Sequence, residues 1–274
     1  MRRVRARFSR SLSMGLGWLA TVSPRLAFAA TAVLAALLTV GSRRHTPVSV
    51  RSLFPHLSRS EAGRVLRDIW RNYARTLLLS GWIHHDGRSS IHALVRENDA
   101  LRRLRPPMIL CTFHIGPTLG LGVLSDRLQG ETLVLRGTRF PLGRAARHDV
   151  DLIEGTDQQR AATFHRAIDR LRQNGFVLLA LDPNEAHRIA APFFGRTLQL
   201  ARGPFAMARI ARAPIVPLVA RWVGDKIELI AGEPLPVLDD EQALAAAAAH
   251  WLESYLRDSP GELSGRILEL MREK

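Results

Sequence analysis

Lysine is almost absent from this chain. It occurs only at Lys226 and Lys274, so arginine supplies nearly all of the 39 basic residues; with 25 acids the formal net charge is +14. Arginine presents a planar fork that matches phosphate and carboxylate. The partners this charge allows are nucleic acid, an anionic membrane surface or an acidic protein. Tyrosine is also scarce, at two residues, and no basic stretch is interleaved with aromatics. Nucleic-acid binding by stacking is therefore not expected. The single cysteine, Cys111, excludes an intrachain disulfide and a multi-cysteine metal site. It lies in an apolar run and reads as core. No internal repeat and no glycine-rich nucleotide fingerprint is present. A chain of 274 residues can bury one large core, or one core and an appendage.

Charge is missing from one long stretch. Arg2, Arg3, Arg5, Arg7 and Arg10 open the chain without an acid, and from Ser11 to Ser42 the only charge is Arg25. The uncharged run Leu26 to Ser42 would reach about 25 Å as a helix, against ~30 Å of bilayer hydrocarbon. Three readings fit. It is a membrane-embedded helix, spanning or re-entrant; a signal peptide cut near Ala27-Phe28-Ala29; or a buried helix of a soluble protein. Cleavage would leave a second apolar run, Ala30 to Val40, on the mature chain, so length and flanks favour the membrane helix. Arg43, Arg44 and Arg51 follow the run, so the positive-inside rule does not set its orientation. The expected division is residues 1–45 as a basic, membrane-associated segment and residues 46–274 as one α/β domain.

The most informative stretch is Met108 to Gly120. Met108 to Phe113 reads as a buried strand, Gly116-Pro117 as a turn, and Thr118 to Leu128 as a helix. His114 sits where strand meets helix, the crevice in which open α/β sheets hold ligands. That position favours a functional role over a satisfied core histidine. Phe176 to Leu181 reads as a second buried strand, ending in Asp182-Pro183-Asn184-Glu185. Asp182 is a second site candidate, although Asp, Pro and Asn also form turns. If both strands are parallel, His114 and Asp182 share a sheet edge and Asp182 can orient His114, with Glu185 the nearest alternative. Otherwise Asp182 shapes its turn or holds an arginine.

The remaining pattern alternates helices with strands. Pro47 to Pro55 reads as an irregular link. Ser58-Arg59-Ser60-Glu61 has the form of a capping box opening a helix to about Leu79, ended by Gly81 and His84-His85-Asp86-Gly87. The two histidines read as a surface turn, not a zinc site. Helices are expected over Ser90–Leu104, Gln158–Asn174, Arg202–Ala211 and Asp239–Leu256, with a last short helix after Pro260-Gly261. Strands are expected over Glu131–Arg136, Pro214–Trp222 and Lys226–Ala231, the last two joined at Gly224-Asp225. Arg136, Arg139, Arg144 and Arg147 crowd the loop after Leu135, as a solvated face or an anion site. Phe193 and Phe194 pack under a loop or line an apolar groove. The fold class is α/β, with a mixed, mainly parallel central sheet flanked by helices and an N-terminal apolar membrane-associated helix.

The order of these motifs resembles the bacterial lipid A lauroyl/myristoyl acyltransferase family of the lysophospholipid acyltransferase superfamily. The resemblance runs through strand-His114, Leu135-Arg136, Leu181-Asp182, Pro192-Phe193-Phe194-Gly195-Arg196 and Pro214-Ile215-Val216-Pro217. Leu53-Phe54-Pro55, the Ser58 helix with Asn72, and Leu256 to Glu262 extend it. It implies transfer of a fatty acyl chain, usually from acyl carrier protein, to a hydroxyl of a glycolipid at the inner membrane, without metal or organic cofactor. The expected donor is acyl carrier protein or acyl-CoA, the acceptor a glycolipid or lysolipid hydroxyl, the place the cytoplasmic face of the inner membrane, and nucleic acid is not an expected partner. His114 matches the family's catalytic base. Arg136, Asp182 and Phe193, Phe194, Gly195 and Arg196 match positions near the acceptor, with Arg139 a further anion contact. Two departures stand out. The family's acid five residues after the histidine is replaced by Leu119, and its aromatic, basic ending is missing after Glu262. Leu119 is the feature that favours the alternative, a non-catalytic relative that binds a lipid or a partner.

Overall fold

The computed structural model describes residues 2–42, 47–86, 88–96, 99–136, 149–152, 156–182 and 187–271. Helices α1 (Arg2–Val22) and α2 (Pro24–Ser42) form a hairpin, with Pro24 in the first turn where its missing N–H costs nothing. The basic N-terminus is thus helical, and Leu12, Leu16 and Ala20, at helical spacing, face the core. On α2 a stripe of small residues, Ala27, Thr31, Ala35 and Thr39, is buried. The opposite stripe is exposed, Leu26 at 59%, Val33 at 62%, Leu37 at 66% and Val40 at 63%. The window Pro24–Gly41 is long and apolar enough to cross a membrane, with mean hydropathy 1.6 and only 22% of it buried against protein. Most of this helix does not face protein, unlike the core helix of a soluble domain.

Several expected boundaries move in the helices before the sheet, each for a tertiary reason. The link expected over Pro47–Pro55 contains helix α3 (Pro47–Leu53), supported by burial of Val50, Leu53 and Phe54. Helix α4 (Arg59–Asp86) begins at the expected box: the Ser58 N–H donates to Glu61 Oε2 at 2.8 Å, and the Glu61 N–H to Ser58 Oγ at 3.3 Å. It does not stop at Gly81. A Cβ there would stand 1.8 Å from the Ser13 carbonyl oxygen, and one at Gly17 would stand 2.1 Å from the Gly81 carbonyl carbon. These glycines let the backbones of α1 and α4 touch. His84 and His85 therefore ride exposed on a last helical turn. The single helix expected over Ser90–Leu104 is split into α5 (Arg88–Leu94) and α6 (Asp99–Arg102). Val95 between them bridges Ile227, whose carbonyl accepts from the Arg96 N–H at 2.8 Å.

The sheet follows the apolar runs. Strand β1 (Met108–Thr112) leads into a 3-10 turn, Thr118–Val123, and helix α7 (Leu124–Arg127). One α-helix was expected here, but Gly120 and Gly122 weaken it, and a Cβ at Gly120 would stand 2.9 Å from Ile227 Cγ2. Strands β2 (Thr132–Arg136) and β3 (Asp149–Leu152) follow, the latter a short strand bearing two acids that no apolar run marks. Helix α8 (Asp157–Arg172) is opened by a Thr156–Gln159 capping box and leads to β4 (Phe176–Ala180). Strands β5 (Arg188–Phe193) and β6 (Arg196–Ala201) form a hairpin of their own. Its turn puts Phe194 at φ 48° and Gly195 at φ 68°, the two left-handed residues of a type I′ turn, with Phe where Asn is usual. Helix α9 (Gly203–Ala211), the β7 (Ile215–Val223) and β8 (Lys226–Ala231) hairpin and α10 (Glu241–Asp258) follow as expected. The chain then makes a 3-10 turn, Pro260–Glu262, and ends in α11 (Gly265–Leu270).

The strand order is β3-β2-β4-β1-β7-β8, all parallel except β8 against β7. This is the mixed, mainly parallel sheet flanked by helices that the sequence leads one to expect. Alternate residues feed two cores. Ile109, Cys111, Val177, Leu179 and Ile215 pack against α8 to α10. Leu110, Phe176, Leu178, Val216 and Leu218 pack on the side of α1, α5, α7 and the C-terminal half of α4. Burial on both faces fixes the register, and so fixes which residues meet at the strand ends.

Candidate active site

His114 emerges at the end of β1. Phe113 and Ile115 on either side are fully buried, and the Ile115 N–H donates to the Phe113 carbonyl at 2.8 Å. That three-residue bond makes His114 the centre of a γ-turn, of the inverse kind since its φ is not positive. The two apolar neighbours pull inward and the imidazole is left 53% exposed. Gly116 follows at φ 58°, a left-handed conformation that lets the chain reverse into Pro117.

Strand register brings Asp182 to the same point. Thr112 of β1 pairs with Ala180 of β4, and His114 and Asp182 each lie two residues further on. Asp182 is wholly buried. Its Oδ1 lies 2.8 Å from His114 Nδ1, and its Oδ1 and Oδ2 accept from the His114 main-chain N–H at 3.1 and 2.9 Å. A carboxylate that accepts from Nδ1–H leaves Nε2 as the acceptor nitrogen facing outward. The hydrogen bond to Asp182 raises the His114 pKa above its usual value. Burial opposes that rise, the aspartate's charge adds to it, and the nearby Arg266 guanidinium works against it.

The C-terminal segment closes the site from the other side. Arg266 Nε donates to the Asp182 main-chain carbonyl at 3.1 Å. Glu262 lies behind the His114 turn, where a Cβ on Gly116 would be 2.7 Å from its Oε2. That oxygen is buried and has no hydrogen-bond partner among the described residues. Burial pushes the Glu262 pKa up to about 7, against the pull of Arg221, the Trp222 main chain, Arg75 and Asn72. Neither contact was legible beforehand, because nothing in the local sequence links positions 84 or more residues apart.

The other candidates are less close. Leu119, at the family's acid position, is half-buried and packs into the core under α5 and α7, so no carboxylate approaches His114 from that turn. Arg136 is the last residue of β2, the strand next to β4, and pairs with Leu152 of β3. Arg139, Arg144, Arg147 and Glu185 lie outside the described residues. Phe193 is buried in the core, and Phe194 is half-buried at the tip of the β5–β6 hairpin. The tip is pinned to α10: the Phe194 N–H donates to Glu253 Oε2 at 2.5 Å, and Arg257 lies 5.2 Å over the Phe194 ring. Gly195 and Arg196 are exposed there. The base of the hairpin meets Asp182's strand, with the Ala201 N–H donating to the Leu181 carbonyl at 2.8 Å. Five extended residues separate base from tip, about 17 Å. Among the described residues no group of three His, Cys, Asp or Glu could hold a metal ion.

A parallel sheet with a His–Asp pair at its C-terminal edge is an arrangement suited to activating a hydroxyl for acyl transfer. The family model of bacterial lipid A biosynthesis acyltransferases matches residues 4–262, and the chain belongs to that family. It is an acyltransferase with a lipid acceptor. The crystal structure of the 1-acyl-sn-glycerophosphate (LPA) acyltransferase, PlsC, from Thermotoga maritima is similar. It is 15% identical, covers 85% of this chain and 97% of its own, and superposes with a TM-score of 0.44. Comparison with curated proteins finds no match.

Proposed function

We propose that the protein moves a fatty acyl chain from a thioester, carried by acyl carrier protein or coenzyme A, to a hydroxyl of a glycolipid or lysolipid at the cytoplasmic face of the inner membrane. The family description favours a glycolipid acceptor of the lipid A type. The observation that carries the reading is the 2.8 Å contact between exposed His114 and buried Asp182. In this scheme His114 Nε2 takes the proton of the acceptor hydroxyl as its oxygen attacks the thioester carbonyl. Asp182 holds the ring in the right tautomer and stabilises the imidazolium. Collapse of the tetrahedral intermediate breaks the C–S bond, and the imidazolium returns its proton to the leaving thiolate. The donor is already activated, so positioning supplies much of the rate.

Membrane attachment is assigned to the α1–α2 hairpin. Its outward face carries Trp18, Val22, Leu26, Val33, Leu37 and Val40, all more than half exposed. The arginines that open α1 suit an anionic leaflet surface. Arg136 is assigned to anionic groups of the acceptor, with Arg139 beside it in sequence. The hairpin tip, Phe194 to Arg196, is assigned to the lipid, and Phe193 anchors the tip in the core.

The test is transfer of radiolabelled acyl groups by purified protein to a membrane lipid extract. Wild type should label a lipid and His114→Ala should not; wild-type activity in His114→Ala would remove the scheme. With a carrier-bound donor, KM should rise with salt while kcat changes less, since the steering charge is screened. A KM flat in salt would argue against a carrier protein and for coenzyme A or a lipid donor.

A further inference from the structure

We propose that Arg266 is a positioning residue for the His114–Asp182 pair: it ties down the main chain that carries the aspartate and sets a positive charge near the imidazole, opposing the pull of Asp182. The proposal rests on the assignment of His114 as the base and names the group that tunes it.

The mechanical half comes from how Asp182 is held. The Leu181 N–H donates to the Thr112 carbonyl at 2.8 Å and the Ala201 N–H donates to the Leu181 carbonyl at 2.8 Å. Both fix the residue before Asp182. Arg266 Nε reaches the carbonyl of Asp182 itself, at 3.1 Å. The support behind Arg266 is firm. Leu263 is 2% exposed, Ile267 0% and Leu270 4%, so α11 is seated in the main core. The preceding turn is tied to α4 by Asn72 Nδ2, which donates to the Gly261 carbonyl at 2.9 Å. A site residue held from such an element keeps its geometry better than one on a free loop.

The electrostatic half follows from sign. Asp182 favours imidazolium, and a base that is protonated at neutral pH cannot take a proton. A guanidinium stays charged at every relevant pH and penalises a second positive charge nearby. Among the described residues the charged groups that act on the His114 ring are Asp182 from the end of β4 and Arg266 from α11. Glu262 lies across the Gly116 backbone and is balanced by Arg221 of β7 and Arg75 of α4. Removing Arg266 therefore leaves only burial to oppose Asp182.

Two substitutions separate the halves. Arg266→Gln keeps a donor for the carbonyl without the charge, and Arg266→Lys keeps the charge without the fork. Histidine-labelled protein is titrated by NMR, with the His114 signal assigned by its loss in His114→Gln. The His114 pKa should rise by roughly half a unit or more in Arg266→Gln and stay near wild type in Arg266→Lys. The acid limb of kcat/KM should move up in pH with it, with KM little changed. Arg266→Met is the second neutral variant if the glutamine does not fold. An unmoved His114 titration in a folded neutral variant would overturn the proposal, as would equal shifts in the lysine and neutral variants. Failure of the base assignment looks different: the titration would shift as expected while His114→Ala kept wild-type transfer.

Discussion

Gly116 lies between a carbonyl and a carboxyl: a Cβ there would be 2.1 Å from the Ala220 carbonyl oxygen and 2.7 Å from Glu262 Oε2. The turn that presents His114 is therefore wedged between β7 and the C-terminal segment. Its φ of 58° adds a second reason for glycine. Gly116→Ala should lower stability by about 2–4 kcal/mol, from the clash with backbone and the left-handed strain together. A thermal melt measures it. A melting temperature equal to wild type would show that the turn can give way.

Glu262 should make stability depend on pH. Its pKa rises from 4.5 to about 7 in the folded protein. An acid that binds its proton more tightly when folded stabilises the fold fully at low pH. That contribution is lost as pH climbs from the unfolded value of 4.5 to the folded value near 7. The loss is about 3 kcal/mol at most. Glu262→Gln carries no such charge, so its denaturant midpoint should exceed that of wild type at pH 8 by more than at pH 4.5. Parallel curves for the two proteins would contradict this account.

The carboxylate that serves His114 should be Asp182, and Leu119 should not be convertible into it. Asp182→Asn should cut kcat and kcat/KM together by about 10²-fold or more, since the aspartate stabilises charge formed in the transition state. Leu119→Asp should gain no activity, because Asp182 already occupies the Nδ1 side of the ring. It should also cost about 1–3 kcal/mol by placing a charge against the core under α5 and α7. Restoration of Asp182→Asn activity by adding Leu119→Asp would reverse that view.

The α1–α2 hairpin should hold the protein on membranes through its outward stripe. Wild type should remain in the pellet after a high-salt wash, since apolar insertion survives screening. Val33→Glu with Leu37→Glu should shift it to the supernatant with unchanged circular dichroism, because both side chains are more than half exposed. Retention of the double variant would place the anchor elsewhere.

Much of this molecule could be read residue by residue, and the rest follows one rule. Elements whose stability is local were legible: the Ser58 cap, the apolar runs of β1, β4 and β7, and the Gly224-Asp225 turn all carry their cause within a few residues. His114 stood out because a strand end followed by Gly and Pro is a local pattern. What the sequence could not decide were contacts whose two halves lie far apart in the chain. Gly81 looked like a helix stop until Gly17 arrived against it. Val95 broke a helix only because Ile227 lies alongside. Asp182 was an even choice between turn former and partner until the parallel register of β1 and β4 set it under the imidazole. Arg266 and Glu262 gave no sign of their place at the site, because α11 and the turn before it reach it only after the sheet has formed. Local propensity is written into neighbouring residues, whereas the geometry of this site depends on long-range burial, which only the assembled core supplies.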